Sequence, residues 1–175
     1  GYVPVTNTAT RPLRGISTTV QGNEILESTS SEVNSIQPGE TRKLPFRLRS
    51  RHPIRPSDST EVELSIQAED ETHNLRLRPR LRSPGEYFAT SYVSKADHSI
   101  QPFRVLAPLD YDRSTAYALV VSMHGYKGDN NYESFTPRPW TFVATPGARG
   151  EVPYKEIGTR DVREVVEAMR ARYNI

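Results

Sequence analysis

Apolar and polar residues alternate along three stretches in the first half of the chain. The stretches are residues 42–50, residues 60–67 and residues 74–82, and the last of them sets leucines against arginines. A period of two places the apolar set on one face of a β-sheet. Turn-forming prolines and glycines separate the runs. The pattern predicts a small antiparallel β-sandwich in this half, preceded by a linker or a loosely held edge strand around Pro4 and Pro12.

The pattern changes from about residue 101. Residues 102–107 and residues 140–145 are short apolar strand candidates. Between them, residues 117–123 form a continuous apolar run, which is typical of a strand covered on both faces of a parallel sheet. Residues 161–173 then place valines on one face of a predicted helix, with Asp161 as its N-cap and Glu164 completing a capping box. This succession favours α/β architecture.

We therefore expect two domains and a mixed fold class, in which a β domain is followed by an α/β domain. Residues 1–95 are interpreted as an accessory, immunoglobulin-like β-sandwich with flexible first residues. Residues 96–175 are interpreted as the first strands and helix of an incomplete α/β sheet. An incomplete sheet leaves one strand edge unpaired, so the pattern predicts a further chain segment or a partner that covers this edge.

Composition excludes several classes of function. The chain has 175 residues and no cysteine, which removes disulfides, Cys-ligated zinc and a cysteine nucleophile from consideration. The formal net charge is only +2, so nucleic acid is not the expected partner. The longest apolar run, residues 117–123, is far shorter than the roughly 20 residues of a membrane-spanning helix. A cysteine-free chain is compatible with either cytosol or periplasm.

The most informative segment is residues 118–129, where an apolar strand leads into His124-Gly125 and then into small and polar residues. Such a turn exposes backbone N–H groups that can hold an oxyanion. Together with residues 104–108 upstream and residues 142–150 downstream, this order resembles the α/β-hydrolase family. The likeness is strongest to esterases of the polyhydroxybutyrate-depolymerase or feruloyl-esterase kind and to prolyl-oligopeptidase-like serine hydrolases. It extends through residues 158–175, which look like the helix before the nucleophile strand.

The resemblance implies acyl transfer through a serine nucleophile and an oxyanion hole, without a cofactor. His124 and Gly125 would shape the oxyanion turn, and the backbone N–H of Tyr126 would be one of its donors. His124 itself is interpreted as orienting the turn and not as the catalytic base.

Three residues after the turn are candidates for a substrate-facing loop. They are Asn130, Asn131 and Tyr132, and loops at this edge of an α/β sheet commonly carry specificity.

The sequence departs from the family at the nucleophile. The family's elbow is Gly-x-Ser-x-Gly, followed later by an acid and a histidine, and the nearest candidate here, Gly15-Ile16-Ser17, lacks the second glycine and lies in the wrong half. The triad is therefore expected outside these residues, and the chain alone is not expected to hydrolyse esters or peptides. Because it opens on Gly1 without a signal pattern, we interpret it as a mature product, an expression product or an excerpt.

Three hypotheses follow. The first is the N-terminal part of a secreted or periplasmic serine hydrolase, a carboxylesterase or peptidase truncated before its nucleophile elbow. The second is a β-sandwich that binds carbohydrate or protein and carries a non-catalytic remnant. Exposed aromatic residues on one sheet face would favour the second, but Tyr87, Phe88 and Tyr92 have mixed parity. The third hypothesis is one chain of a split enzyme.

The remaining histidines and the arginines have simpler interpretations. His52, His73 and His98 show no ligand spacing, so no metal site is predicted. A solvated strand face that pairs with nearby glutamates is preferred over a polyanion site for the alternating arginines, which are Arg76, Arg78, Arg80 and Arg82, with Arg47, Arg49 and Arg51.

Overall fold

The computed structural model describes residues 1–51, 60–79, 82–125, 135–150 and 154–175. These residues form mostly antiparallel β-sheets and one C-terminal helix. The strands are β1 (Tyr2–Thr6), β2 (Leu13–Val20), β3 (Thr29–Ile36), β4 (Thr41–Pro45), β5 (Val62–Ala68), β6 (Glu71–Leu77), β7 (Tyr87–Val93), β8 (Ile100–Leu106), β9 (Ala118–Val121) and β10 (Thr141–Pro146), and the helix is α1 (Ile157–Arg172). The described helix is not long and apolar enough to cross a membrane.

The chain divides into two compact units, Gly1–Leu81 and Arg82–Ile175, which we call the N-terminal unit and the C-terminal unit. Our sequence interpretation places the boundary near residue 95. The difference lies in β7, which pairs antiparallel with β8 from Tyr87 to Val93 and so belongs to the second sheet.

The N-terminal unit contains two sheets. A four-stranded antiparallel sheet has the order β3-β2-β5-β6, and β1 pairs with β4 in a two-stranded sheet. The alternation predicted for β5 is confirmed, because Val62, Leu64 and Ile66 are buried while Glu63 is exposed. Leu44 from the two-stranded sheet packs with Ile66, so side chains of both sheets share a core.

The opening residues form a strand, β1, and not a linker. Of the two options that the sequence left open, the edge strand is the one observed. Asn7, the residue after β1, is fully buried, and its side-chain amide donates to the carbonyls of Arg11 at 2.8 Å and Ile36 at 2.9 Å. Its side-chain oxygen accepts from the N–H of Ala9 at 2.9 Å. A buried amide with both ends hydrogen-bonded ties this part of the chain to β3.

Two predicted strands in this unit are shorter or more exposed than expected. β4 ends at Pro45, after which the Phe46 N–H donates to the carbonyl of Gly1 and the chain pairs with residues near Leu26. β6 lies at the sheet edge, where Leu75 is 37% exposed instead of buried. An edge strand has a neighbour on one side only, so its apolar residues gain less burial.

Two arginines, Arg76 on β6 and Arg78 just after this strand, pair with a glutamate, as predicted for a solvated face. Arg76 and Arg78 lie 3.8 and 3.1 Å from the carboxylate of Glu61, and both arginine side chains are more than four-fifths exposed. Exposed pairs of this kind contribute little to stability.

The C-terminal unit contains a four-stranded sheet with the order β7-β8-β10-β9. Only β9 and β10 are parallel, while β8 runs antiparallel to both of its neighbours. The expectation that β9 is covered on both faces is wrong, because Ala118 and Val120 are exposed. As the last strand of the sheet, β9 has one face and one edge without a covering element among the described residues.

Helix α1 covers the opposite part of the sheet. Val165 and Met169 are fully buried and pack with Phe103 and Phe142 of the sheet. Aromatic rings complete this core, with Phe142 at 4.6 Å from Tyr173 between ring centroids. The apolar helix face predicted from the sequence is therefore the face that forms this core.

The predicted helix start is wrong. α1 begins at Ile157, four residues before Asp161, and its N-cap position is Glu156, whose side chain makes no capping hydrogen bond. Asp161 and Glu164 have buried tertiary roles instead. Asp161 pairs with Arg149, and Glu164 accepts a hydrogen bond from the backbone N–H of Lys95 at 3.0 Å. The same residue types serve a capping box and a buried polar contact, so the local pattern does not distinguish them.

Candidate functional site

The candidate site lies at the edge of the second sheet where β9 and β10 end. The two strands are parallel and in register from Ala118 opposite Thr141 to Val121 opposite Ala144, so their carboxyl ends meet. The register continues one residue further, because the Ser122 N–H donates to the carbonyl of Ala144 at 2.9 Å. The chain then leaves the sheet through Met123, His124 and Gly125. In α/β sheets, ligands commonly bind at this edge.

His124 is held by two hydrogen bonds. Its backbone N–H donates to the hydroxyl of Tyr154 at 2.9 Å, and its ring atom Nδ1 lies 2.9 Å from the carbonyl oxygen of Gly125. The His124 and Tyr154 rings are in contact, with centroids 4.7 Å apart. These contacts hold His124 in place, and its role in shaping an oxyanion turn stays a prediction.

Tyr154 is the partner that sequence reasoning missed. It lies two residues before the N-cap of α1, and its carbonyl accepts a hydrogen bond from the Thr159 hydroxyl at 2.9 Å. Burial raises the pKa of the Tyr154 phenol, and the hydrogen bond from the His124 backbone opposes this shift. No periodic or motif signal marks a single tyrosine in this segment, so only the tertiary contact identifies it.

The remaining predicted site residues divide into two groups. Gly125 is exposed, and no atom of the described residues lies within 4 Å of the position where a side chain would begin. Tyr126 and the loop residues Asn130, Asn131 and Tyr132 lie outside the described residues. Their roles as oxyanion donor and substrate loop remain predictions.

A cluster of charged side chains fixes the loop after β10. Ala148, Arg149 and Gly150 all have left-handed backbone conformations, with φ of 41°, 62° and 84°. For Ala148 and Arg149 this conformation costs free energy that tertiary contacts must offset. The Arg149 side chain, only 16% exposed, makes those contacts.

Arg149 bridges the β7–β8 turn and helix α1. Its Nε lies 3.1 Å from the carboxylate of Asp161, which is 1% exposed, and its Nη1 lies 2.5 Å from Asp97. The guanidinium also donates to the hydroxyls of Ser94 at 2.9 Å and Ser99 at 3.0 Å. We call these five residues the Arg149 cluster. It holds the β10 loop, the turn and the first turns of the helix in one arrangement.

The Arg149 cluster predicts a loss of stability in acid. Hydrogen bonds from Arg149 and Ser99 hold the pKa of Asp97 well below its usual range. A lowered folded pKa stabilises the folded state fully above the unfolded pKa of about 4, and the contribution is lost as pH falls below it. Urea unfolding at pH 7 and pH 3 should therefore show a smaller acid loss for Asp97→Asn than for the wild type. An equal loss in both proteins would contradict this origin.

Two surface depressions of the C-terminal unit lie away from His124. One, of about 130 Å³, is lined mainly by apolar residues that include Val120, Phe135 and Trp140. The other, of about 420 Å³, is polar and lies along the first turns of α1 beside Lys95. Among the described residues, no group of three histidine, aspartate or glutamate side chains could hold a metal ion.

Comparison with solved structures gives a weak likeness to an esterase. No protein-family model matches the chain, and no curated protein matches it. A solved structure described as a thermostable esterase has a TM-score of 0.40 and 17% sequence identity, and the match covers 98% of this chain and 63% of that esterase. The chain thus spans less than two thirds of the esterase's length. At this level of similarity, no conclusion about activity follows.

Proposed function

We propose that this chain is the N-terminal part of a serine hydrolase, a carboxylesterase or peptidase, that carries the oxyanion turn but not the catalytic triad. One observation carries the proposal. The parallel strands β9 and β10 end together, and the chain leaves β9 through a His-Gly turn whose first N–H is already occupied by the Tyr154 hydroxyl.

The occupied N–H decides which groups would bind an oxyanion. The His124 N–H donates to Tyr154 and is not available to a ligand. Gly125 is exposed, and its N–H makes no hydrogen bond to the described residues. We infer that Gly125 and Tyr126 supply the backbone donors. Backbone donors that are already in place stabilise a developing oxyanion without reorganisation.

The proposal also requires that another strand covers the free edge of β9. In the part of the chain that the structure describes, β9 is the last strand of the sheet, and its exposed residues Ala118 and Val120 are apolar or small. At its start, the Tyr117 N–H donates to the carbonyl of Asn174 at 2.9 Å, in the extended segment after α1. We propose that a strand from the C-terminal half, or from a partner chain, pairs with β9 here. It would bring the serine nucleophile to the same sheet edge as the turn.

The N-terminal unit has an accessory role in this proposal. Its two sheets share a core of their own, and we propose that it is an immunoglobulin-like sandwich. The enzyme itself needs no cofactor, and its substrate is an ester or a peptide. We place it outside the cytosol, in the periplasm or secreted.

Active-site labelling tests the proposal. Extracts and secreted fractions of cells that make the protein would be treated with a biotinylated fluorophosphonate, and the captured proteins analysed by mass spectrometry. We expect captured peptides from residues 1–175, because the labelled serine belongs to the same enzyme. The purified 175-residue chain should neither be labelled nor hydrolyse p-nitrophenyl acetate or butyrate.

Denaturing washes of the captured proteins distinguish one continuous hydrolase chain from a split enzyme. Peptides that remain after boiling in detergent indicate one continuous chain, and peptides lost at that step indicate a split enzyme. The proposal fails if peptides of the chain are present in the extract but absent from the captured proteins under both conditions. Probe-sensitive turnover by the purified chain would show instead that it contains its own nucleophile.

A further inference from the structure

Tyr154 contacts His124 in two independent ways. Its hydroxyl accepts the backbone N–H of His124 at 2.9 Å, and its ring lies against the imidazole with a centroid distance of 4.7 Å and an interplanar angle of 44°. The hydrogen bond fixes the position of the backbone, and the ring contact limits rotation of the side chain. The two residues are 30 positions apart in the sequence.

The hydrogen bond inside the turn determines where the imidazole carries its proton. The Gly125 carbonyl can only accept, so Nδ1 of His124, at 2.9 Å, must donate. Nε2 is buried and has no hydrogen-bond partner within the described part of the chain. A proton on Nε2 would leave a buried donor unsatisfied, which is costly. The geometry therefore selects the tautomer with the proton on Nδ1.

Tyr154 is itself held by the first turn of α1. The Thr159 hydroxyl donates to the Tyr154 carbonyl at 2.9 Å, and the Gly158 N–H donates to the carbonyl of Lys155 at 2.8 Å. Two residues beyond Thr159, the buried Asp161 is paired with Arg149. A continuous series of contacts thus runs from the Arg149 cluster through the helix start to the His124 turn.

We propose that Tyr154 is a positioning residue for the oxyanion turn. This inference rests on the proposed function, in which the turn binds a developing oxyanion. The Tyr154 hydroxyl accepts the hydrogen bond from the backbone N–H of His124. The Tyr154 ring holds the imidazole so that Nδ1 donates to the carbonyl of Gly125. The N–H of Gly125, which follows, is then left as a donor. Preorganisation of this kind is effective because the donors need no rearrangement during the reaction.

The test uses the 175-residue chain labelled with ¹⁵N, and the variant Tyr154→Phe, which keeps the ring and removes the hydroxyl. We expect amide exchange at His124 to become about tenfold faster, the factor that corresponds to loss of one hydrogen bond. We also expect the imidazole nitrogen signals to change from one tautomer toward a mixture of two. Tyr111→Phe, in the aromatic core of the same unit, is the matched control and should change neither signal.

Thr159→Val is the second variant, because it leaves Tyr154 intact and removes the hydrogen bond to its carbonyl. It should shift both signals in the same direction by a smaller amount. Unchanged exchange and an unchanged tautomer in Tyr154→Phe would overturn the proposal. If Tyr154→Phe unfolds, unchanged amide exchange and an unchanged tautomer in Thr159→Val would overturn the proposal instead. Neither readout requires hydrolysis, so this failure is distinct from a failure of the fluorophosphonate capture.

In the proposed complete hydrolase, a kinetic readout separates a positioning role from an effect on stability alone. There, Tyr154→Phe is expected to lower kcat and leave KM unchanged, because the oxyanion forms only in the transition state. A variant with unchanged kcat would show that the contact serves only the fold.

Discussion

Replacing Arg149 with methionine is expected to destabilise the C-terminal unit by about 3–5 kcal/mol, the usual effect of removing one partner from a buried ion pair. The change leaves the Asp161 carboxylate, 1% exposed, without its cation. It also removes the donors to Asp97, Ser94 and Ser99. The left-handed conformation at position 149 would then have no side-chain contacts to offset its cost.

Urea unfolding measures this effect when it is followed by the amide signals of β8 and β10, which report on the C-terminal unit by itself. Arg113→Met is the matched control, because Arg113 is exposed, and it should leave the free energy of unfolding nearly unchanged. A double variant, Arg149→Met with Asp161→Leu, should recover part of the loss by removing the unpaired charge. Equal midpoints for Arg149→Met and the control would refute a stabilising role for the Arg149 cluster.

Truncation of Phe142 to alanine should destabilise the same unit by about 3–5 kcal/mol, as expected for a large aromatic residue removed from a core. Phe142 is fully buried on β10. Its ring lies 5.3 Å from Tyr111, 5.6 Å from Tyr117 and 4.6 Å from Tyr173, measured between centroids. Tyr111 and Tyr117 lie in the connection between β8 and β9, whereas Tyr173 follows α1, so the cavity is lined from two parts of the chain that other contacts hold apart.

The control for this second experiment is Phe135→Ala, at a residue that is 40% exposed in the same unit. We expect a much smaller loss there, measured by the same urea unfolding of the β8 and β10 signals. Comparable losses at positions 135 and 142 would mean that burial on the helix-covered face does not dominate the stability of this unit.

The two stability predictions concern the residues that position the candidate site. Phe142 anchors β10 beneath helix α1, and Arg149 fixes the loop that follows β10. The carboxyl ends of β9 and β10 and the start of α1 meet where His124 contacts Tyr154. Substitution of Phe142 or Arg149 is therefore expected to weaken the contact between His124 and Tyr154 as well, although neither of the two substituted side chains contacts His124.

Local patterns in the sequence predicted several elements correctly. The alternation of Val62, Leu64 and Ile66 identified β5 and its buried face, because strand residues point to opposite sides with a period of two. Apolar residues at helical spacing identified the face of α1 that holds Val165 and Met169. These predictions depend only on residues that are neighbours along one element.

Other predictions failed because the same local pattern permits more than one tertiary role. Asp161 followed by Glu164 is typical of a capping box, but the helix begins earlier and both carboxylates accept partners from other segments. The apolar run that contains β9 is typical of a covered strand, but the strand order places β9 at the edge of the sheet. Which strand lies at an edge depends on the pairing of all strands.

The sequence by itself therefore determined the β-rich first half and the buried face of the helix, and it proposed the His124-Gly125 segment as the candidate site. Only the tertiary structure decided the strand order β7-β8-β10-β9, the pairing of Arg149 with Asp161 and the contact between His124 and Tyr154. The physical reason is distance along the chain. A period of two or of 3.6 residues is encoded locally, whereas a hydrogen bond between residues 124 and 154 exists only after the sheet and helix have packed.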